Sequence, residues 1–309
     1  MRRIIVNDDN YYNRLDKFLR NEMKKVKLGS IFKMIRKGKI RVNGDKAKKN
    51  NFKLNMGDVV EIEDAFIDSK MKRPLKPTMK ARPLDYDTVF ENEDFFAINK
   101  PPKVSMHPGT GEEMVTIIEG AKYNSKDKYD PHLVHRLDKL TSGALIIAKN
   151  KNTSRILSKK IRSRETQKFY LALLLGDLDQ KGTLDSLVDE KEAKLNYEKI
   201  DSFDVNGIKL SFVEIELLTG RKHQIRRQFA DINHPVAGDN MYGNIEINKI
   251  LKKVIGLRRF FLHSFRFHFF LNGNEYDIKA PLYKDLENVL KRLEEVKWER
   301  LWKNQEKYY

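Results

Sequence analysis

The chain of 309 residues contains no cysteine. That absence excludes a disulfide framework, a thiolate nucleophile and a cysteine-ligated zinc site. The sequence also lacks any run of about 18 apolar residues, the length that a membrane-spanning helix needs. Its first residues do not contain the apolar core of a secretory signal peptide. Together these absences predict a cytoplasmic protein with no membrane segment.

Negative charge is scarce as well, because 44 Asp and Glu face 61 Lys and Arg and the formal net charge is +17. Such an excess favours an anionic partner, either a nucleic acid or an anionic membrane surface. A membrane-surface protein would need an apolar anchor or a strongly amphipathic basic helix, and neither is evident. The excess is concentrated in residues 1–80, which contain 22 Lys and Arg but only 10 Asp and Glu. We therefore expect a small basic module joined to a larger and more balanced domain.

The basic module is predicted to cover residues 11–64. Apolar residues of the segment 12–19 recur at helical spacing, and a second helix is predicted from Ser30, a favourable N-cap, to Lys37. A strand follows and ends at Asn43–Gly44, a strong signal for a hairpin turn. This order of helices and strands indicates a small α/β domain.

Residues 65–83 are rich in Lys, Arg and Pro and are predicted to form a linker. Residues 84–285 alternate short apolar runs with turns, and the runs that suit strands outnumber the helical patterns. We predict an α+β domain built around a mixed, largely antiparallel sheet. Residues 286–309 have the spacing of a peripheral helix. Strands are predicted at 88–90, 95–98, 144–148, 170–174 and 212–216, and helices at 112–121, 152–162 and 222–232.

One block stands out, and from His135 to Gly143 it reads HRLDKLTSG. It places a single carboxylate, Asp138, between Arg136 and Lys139. A carboxylate among cations stays ionised, because opposite charge nearby favours its charged form. Such a group can act as a nucleophile or a base. The alternative is a salt-bridged loop at the start of a strand.

This block resembles the signature of the large-subunit-type pseudouridine synthases, which isomerise uridine in RNA. That family carries HRLD, two variable residues and then TSG, and every fixed position is present. Residues 168–172 match its second block, Lys-x-Tyr-x-Ala, and residues 220–226 match its third, Gly-Arg-Thr-His-Gln-Ile-Arg. Lys222 replaces the customary Thr or Ser. Segments 99–102 and 234–243 resemble further blocks, for which we expect scaffold roles.

The resemblance implies a role for each matching residue. Asp138 would be the nucleophile or base, acting at the ribose or at the pyrimidine ring. Tyr170 would lie beside it and stack on a flipped uracil, and Arg226 would form an ion pair that holds Asp138 ionised and aimed. The remaining matches are expected to contact RNA or to be structural: Arg136, Lys168, Arg221 and His223.

The basic module resembles the S4-type RNA-binding domain through residues 36–43 and Gly57–Asp58. Arg36, Lys37 and Arg41 would then contact phosphates. A small domain with an ordinary solvated basic face is the alternative interpretation.

The implied reaction detaches the uracil from its N1–C1′ bond, rotates it and rejoins it through C5. No redox change occurs, so no cofactor is expected. No metal is expected either, since His132 and His135 lack an accompanying zinc motif. The S4-like module favours 23S rRNA as substrate, and we expect a monomeric enzyme. The alternatives are the same chemistry on tRNA, or a non-catalytic RNA-binding or ribosome-assembly factor on the same fold.

Overall fold

The computed structural model describes residues 1–7, 12–23, 26–63, 81–108 and 114–305, the last eight of these by backbone alone. The chain divides into two compact units, Met1–Lys80 and Ala81–Tyr309. Within the described ranges, no helix is long and apolar enough to cross a membrane. Most of the predicted linker, together with Gly109–Glu113, lies outside the described residues.

The first unit contains a four-stranded antiparallel sheet in the order β1-β4-β2-β3 and two helices. The apolar faces of the helices pack on the sheet, where Phe18, Met34 and Val60 are completely buried. Burying such side chains stabilises a domain by about 1.5–3 kcal/mol each. The elements are β1 (Arg2–Ile5), α1 (Leu15–Glu22), α2 (Leu28–Arg36), β2 (Ile40–Val42), β3 (Asp45–Lys46) and β4 (Val59–Ile62).

The predicted N-cap of the second helix was wrong. Helix α2 begins at Leu28, its N-cap is Lys27, and Ser30 lies in its first turn. The Lys27 carbonyl already accepts the amides of Ser30 and Ile31, at 2.9 and 3.0 Å. A side-chain cap contributes only about 1 kcal/mol, less than the burial of apolar residues that fixes the start of the helix. The helix ends at Arg36, one residue before the predicted end, with Lys37 as its C-cap, and Gly38 follows with a φ of 66°.

The second unit is an α+β domain, as predicted. Its ten-stranded sheet contains the eight-stranded path β10-β11-β12-β9-β13-β8-β6-β5, which is antiparallel except where β13 pairs with β8. Two more pairings attach β14 to β13 and β7 to β8. The strands are β5 (Asp87–Glu91), β6 (Phe95–Lys100), β7 (His132–Leu133), β8 (Ser142–Ala148), β9 (Thr166–Leu175), β10 (Lys181–Val188), β11 (Lys191–Val205), β12 (Ile208–Leu217), β13 (Leu262–Leu271) and β14 (Asn274–Lys279).

In the described part of this unit, five helices flank the sheet. Predictions for the second and third are confirmed within two residues. The first starts later than predicted: a capping box between Thr116 and Glu119 fixes its beginning at Ile117. Helix α6 was not predicted. The helices are α3 (Ile117–Asn124), α4 (Lys151–Arg162), α5 (Gln224–Asp231), α6 (Ile245–Val254) and α7 (Lys284–Gln305).

The centre of the sheet aligns two of the sequence blocks. Gly143 on β8 pairs with Ser264 on β13, which in turn pairs with Tyr170 on β9. Gly143 has a φ of 116°, and a Cβ at this position would lie 2.1 Å from the carbonyl oxygen of Ser264. Only glycine permits this approach. The glycine of the first block therefore brings the loop carrying Asp138 towards the strand carrying Tyr170.

Candidate active site

A cavity of about 320 Å³ opens where the first three sequence blocks meet. Its walls come from the loop between β7 and β8, from the start of β9 and from the turn that enters α5. Seven residues predicted from the sequence line it: Arg136, Asp138, Lys168, Tyr170, Arg221, His223 and Arg226. The long-range pairing of β8, β13 and β9 thus converts three separate blocks into one concave site.

Asp138 lies between a guanidinium and an imidazole within the cavity. Its Oδ2 accepts a hydrogen bond from Nη1 of Arg226 at 3.3 Å, and its Oδ1 lies 3.8 Å from Nε2 of His223. The side chain of Asp138 remains 19% exposed, whereas that of Arg226 is only 7% exposed. The carboxylate can therefore reach a bound molecule while its cationic partner stays fixed behind it.

Arg226 is held mainly by a residue that had not been predicted to act in the site. Its Nε and Nη2 donate to the two carboxylate oxygens of Asp239 at 2.6 and 2.9 Å. The guanidinium also lies over the rings of Tyr242 and Phe260, at 5.0 and 4.4 Å. Burial lowers the pKa of Arg226, but Asp239 and Asp138 raise it by more, so it stays above its usual value. The remaining guanidinium nitrogen, Nη1, donates to Asp138.

His223 precedes α5 with a left-handed backbone, φ 54°, which is uncommon for a residue with a Cβ. Its Nδ1 lies 3.0 Å from the hydroxyl oxygen of Tyr242. Burial lowers the pKa of His223, and the negative charge of Asp138 opposes that shift. The imidazole thus links the turn at Tyr242 to the carboxylate of Asp138.

Tyr170 and Lys168 project from β9 into the same cavity. Burial, with a smaller contribution from Asp138, raises the pKa of Tyr170, so its hydroxyl remains protonated at neutral pH. Burial also lowers the pKa of Lys168. Among the residues that the structure describes, no carboxylate pairs with Lys168, which is only 7% exposed. A buried unpaired amine facing a cavity is suited to receiving an anionic group.

The two other arginines of the cavity differ in their availability. Arg136 lines the cavity and is exposed to solvent. Arg221 is half-buried, and its Nε donates to the carbonyl of Glu192 at 2.9 Å. Arg136 is therefore free to meet a ligand, whereas Arg221 ties the turn before α5 to the start of β11.

Two buried cations fix the backbone after Asp138. Lys100 has no exposed surface, and its Nζ donates to the carbonyls of Pro101, Lys139 and Thr141 at 2.8, 3.2 and 2.9 Å. Burial lowers the pKa of Lys100 to about 7. Arg259 donates to the carbonyl of Leu140 at 2.9 Å. These contacts are consistent with the scaffold role expected for segment 99–102, because Lys100 donates hydrogen bonds to backbone carbonyls of the loop that follows Asp138.

The three cations predicted in the S4-like module lie in the first unit, at the end of α2 and on β2. Arg36 and Lys37 are exposed. Arg41 is half-buried and donates to the carbonyl of Gly44 at 3.2 Å. Their contact with RNA stays a prediction.

In the part of the chain that the structure describes, no group of three or more His, Asp or Glu side chains is placed to hold a metal ion. The arrangement instead offers a carboxylate, a protonated phenol and several cations, which suits acid, base or nucleophilic chemistry on an anionic substrate.

Comparison with known proteins agrees with this geometry. Residues 94–231 match the model of the RNA pseudouridylate synthase family, and residues 13–60 match the S4 domain. The ribosomal large subunit pseudouridine synthase C of Haemophilus influenzae is 32% identical, over 95% of both chains. That of Vibrio cholerae is 30% identical, over 95% of this chain and 97% of its own. The chain belongs to the RNA pseudouridylate synthase family.

The fold agrees with this membership. Human RNA pseudouridylate synthase domain containing 1 superimposes with a TM-score of 0.55 at 22% identity, over 67% of this chain and 86% of its own. The family match contains Asp138, Tyr170 and Arg226 but ends before Asp239. The predicted reaction class is thereby confirmed: the chain is an enzyme that isomerises uridine to pseudouridine in RNA.

Proposed function

We propose that this enzyme isomerises specific uridines of large-subunit ribosomal RNA, with Asp138 as the reacting carboxylate. Support for the site comes from the contact between Asp138 and Arg226 at the centre of a cavity lined by cations. Support for the substrate comes from the ribosomal large subunit pseudouridine synthases that are similar to the chain almost end to end, together with the S4 match.

In this proposal the target uridine leaves its stack and enters the cavity, which costs a few kcal/mol. Contacts between phosphates and the cations Arg136 and Lys168 offset that cost. Asp138 reacts at the ribose or at the ring while the N1–C1′ bond breaks. The uracil rotates, the C5–C1′ bond forms, C5 loses its proton and N1 gains one.

The neighbouring groups have supporting roles. Tyr170 stacks on the uracil, and its protonated hydroxyl can donate to the substrate. Arg226 keeps Asp138 charged and oriented. Because the overall change is an isomerisation, the reaction requires no cofactor or metal. We further propose that the enzyme acts as a monomer in the cytoplasm.

Mapping of pseudouridine in cells with and without the gene tests the substrate. Carbodiimide labelling followed by primer extension should show that specific 23S positions lose pseudouridine and that only the chain with Asp138 intact restores them. Loss at tRNA positions alone would replace the large-subunit substrate with tRNA. If every RNA kept its pseudouridines, a non-catalytic ribosome-assembly role would be favoured.

Neutralising Arg36, Lys37 and Arg41 to Gln together should weaken RNA binding and flatten its dependence on salt. The slope of log affinity against log salt should fall by about one for each phosphate contact that is lost. Filter binding between low and high salt measures it. The control changes Lys181, Lys209 and Lys279, surface cations with carboxylate partners, to Gln. Equal slopes in the two triple variants would assign the S4-like module a role other than RNA binding.

A further inference from the structure

A second cavity, of about 290 Å³, lies in the catalytic unit between the turn that follows α6 and the first turns of α7. We call it the basic pocket. Its polar lining consists of Lys103, Arg258, Arg259, Asp285, Asn288 and Arg292. None of these residues lines the active-site cavity, and neither family match assigns them a function.

The charges of the basic pocket do not balance. Arg259 is buried, and its Nε and Nη2 donate to the two carboxylate oxygens of Asp285 at 2.7 and 3.0 Å. This fork neutralises the one carboxylate of the lining. Lys103, Arg258 and Arg292 are exposed, and within the described ranges none of their side chains forms an ion pair or a hydrogen bond. Three positive charges therefore line the cavity without a counterion among the described residues.

The guanidinium of Arg292 lies against the turn after α6. Gly256 in this turn has a φ of 73°, a backbone conformation that favours glycine, and a Cβ at this position would lie 2.6 Å from Nη1 of Arg292. Lys103 is also held in the left-handed region, with a φ of 69°. Such a backbone costs about 1 kcal/mol or more in a residue with a Cβ, so the surrounding structure imposes it.

Hydrogen bonds connect the basic pocket to the loop of the active site, although no residue lines both cavities. Arg259 donates to the carbonyl of Leu140 and, through Nη2, to Oγ of Ser142, both at 2.9 Å. Asp138 and Thr141, from the same loop, line the catalytic cavity. Arg259 therefore links the lining of the basic pocket to the loop that carries Asp138.

We infer that the basic pocket binds a phosphodiester group of the substrate RNA, outside the nucleotide that is isomerised. The inference rests on the proposed function, because it takes its ligand from the RNA in the adjacent site. Arginine side chains suit this ligand, since their planar forks donate two hydrogen bonds to phosphate oxygens. Arg258 and Arg292 would provide such forks and Lys103 a point charge. The contact would hold the strand beside the flipped uridine.

The test changes Lys103, Arg258 and Arg292 to Gln in the full chain. Its substrate is RNA labelled with tritium at uracil C5, prepared from cells that lack the gene and separated into large-subunit rRNA, small-subunit rRNA and tRNA. Isomerisation releases the label from C5. We expect KM for the active fraction to rise about tenfold or more while kcat stays within twofold, and the salt slope of KM to fall by about one per lost phosphate contact.

The Lys181, Lys209 and Lys279 triple variant controls for net charge, and thermal melts of both variants control for folding. Equal KM values and salt slopes in the two triple variants would overturn the inference. A loss of kcat with unchanged KM would do so as well, because it would indicate a structural role. Calorimetry with inorganic phosphate distinguishes the source of the anion. Saturable binding to the wild type, absent from the pocket variant, at phosphate concentrations that leave KM unchanged would identify free phosphate as the ligand instead.

Because the RNA fractions are assayed separately, failure of this inference can be distinguished from failure of the proposed function. Tritium release from tRNA but not from large-subunit rRNA would refute the proposed substrate, and the pocket would still be tested on the tRNA fraction. Release from large-subunit rRNA with no defect in the pocket variant would refute only the inference. If no fraction released tritium, filter binding of the two triple variants to large-subunit rRNA would still test the inference. A smaller salt slope in the pocket variant than in the control would support phosphate binding by the basic pocket, and equal slopes would refute it.

Discussion

Replacing Asp138 with Asn is expected to abolish pseudouridine formation while RNA binding is retained. Asn has the same shape, and its amide oxygen can still accept the hydrogen bond that Arg226 donates at 3.3 Å. It lacks the charge that makes the carboxylate a nucleophile or a base. We expect kcat to fall about 10⁴-fold or more, as for the loss of other essential reacting groups. Tritium release from C5-labelled RNA measures activity, and filter binding measures affinity.

The matched control for this variant is Asp130→Asn. Asp130 lies eight positions earlier in the chain, where its exposed carboxylate faces Lys122 and His132 at 3.9 and 3.2 Å. The control removes the same charge from the surface and should leave activity unchanged. Full activity in Asp138→Asn would eliminate Asp138 as the reacting group. If RNA binding were lost together with activity, the role of Asp138 would be to bind the RNA.

Asp138, Tyr170 and Arg226 could be proposed as site residues because each lies in a contiguous sequence block that resembles a block of the family. Their meeting in one cavity depends on the pairing of β8, β13 and β9. Strand β13 was not predicted. The sequence therefore identified the members of the site, whereas the sheet determines their distances.

The partners of Asp239 and Lys100 could not be predicted from the sequence. Asp239 lies thirteen positions after Arg226, in a turn predicted to be scaffold, and its bidentate pairing is visible only in three dimensions. Lysine is almost never fully buried without partners. Lys100 is buried because the carbonyls of Lys139 and Thr141, distant in sequence, and that of its neighbour Pro101 converge on its amine. Both charged groups have partners that they reach through tertiary contacts. The spacing of residues in the sequence does not predict these contacts.

The missed strands have a related explanation. Most positions of β10 and β11 are exposed or half-buried, and the sequence of Lys191–Val205 is rich in Lys, Glu and Asp. A continuous apolar run, the signal used for strands, is absent there. β11 exists because its backbone pairs with β12 over most of its length. Strands on the outer part of a sheet need less apolar surface, so pairing decides their structure.

Replacing Asp239 with Asn is expected to destabilise the fold and to reduce activity in the molecules that remain folded. Asp239 is 1% exposed, and its carboxylate forms the main ion pair of Arg226. Breaking a buried pair leaves an uncompensated charge and costs about 3–5 kcal/mol. In the folded fraction, Arg226 would no longer be fixed behind Asp138, so kcat should fall about 100-fold while KM changes little. Urea unfolding and single-turnover kinetics measure the two effects.

Asp277→Asn is the matched control, because Asp277 pairs with Arg266 where both side chains are about one-third exposed. An exposed pair contributes about 1 kcal/mol or less. The control should therefore unfold almost like the wild type and retain its kcat. If Asp239→Asn lost stability but kept its kcat, the pair would serve the fold alone, and Arg226 would aim at Asp138 without this support. A parallel fall in stability and kcat, absent from the control, would establish Asp239 as the positioning residue behind the catalytic ion pair.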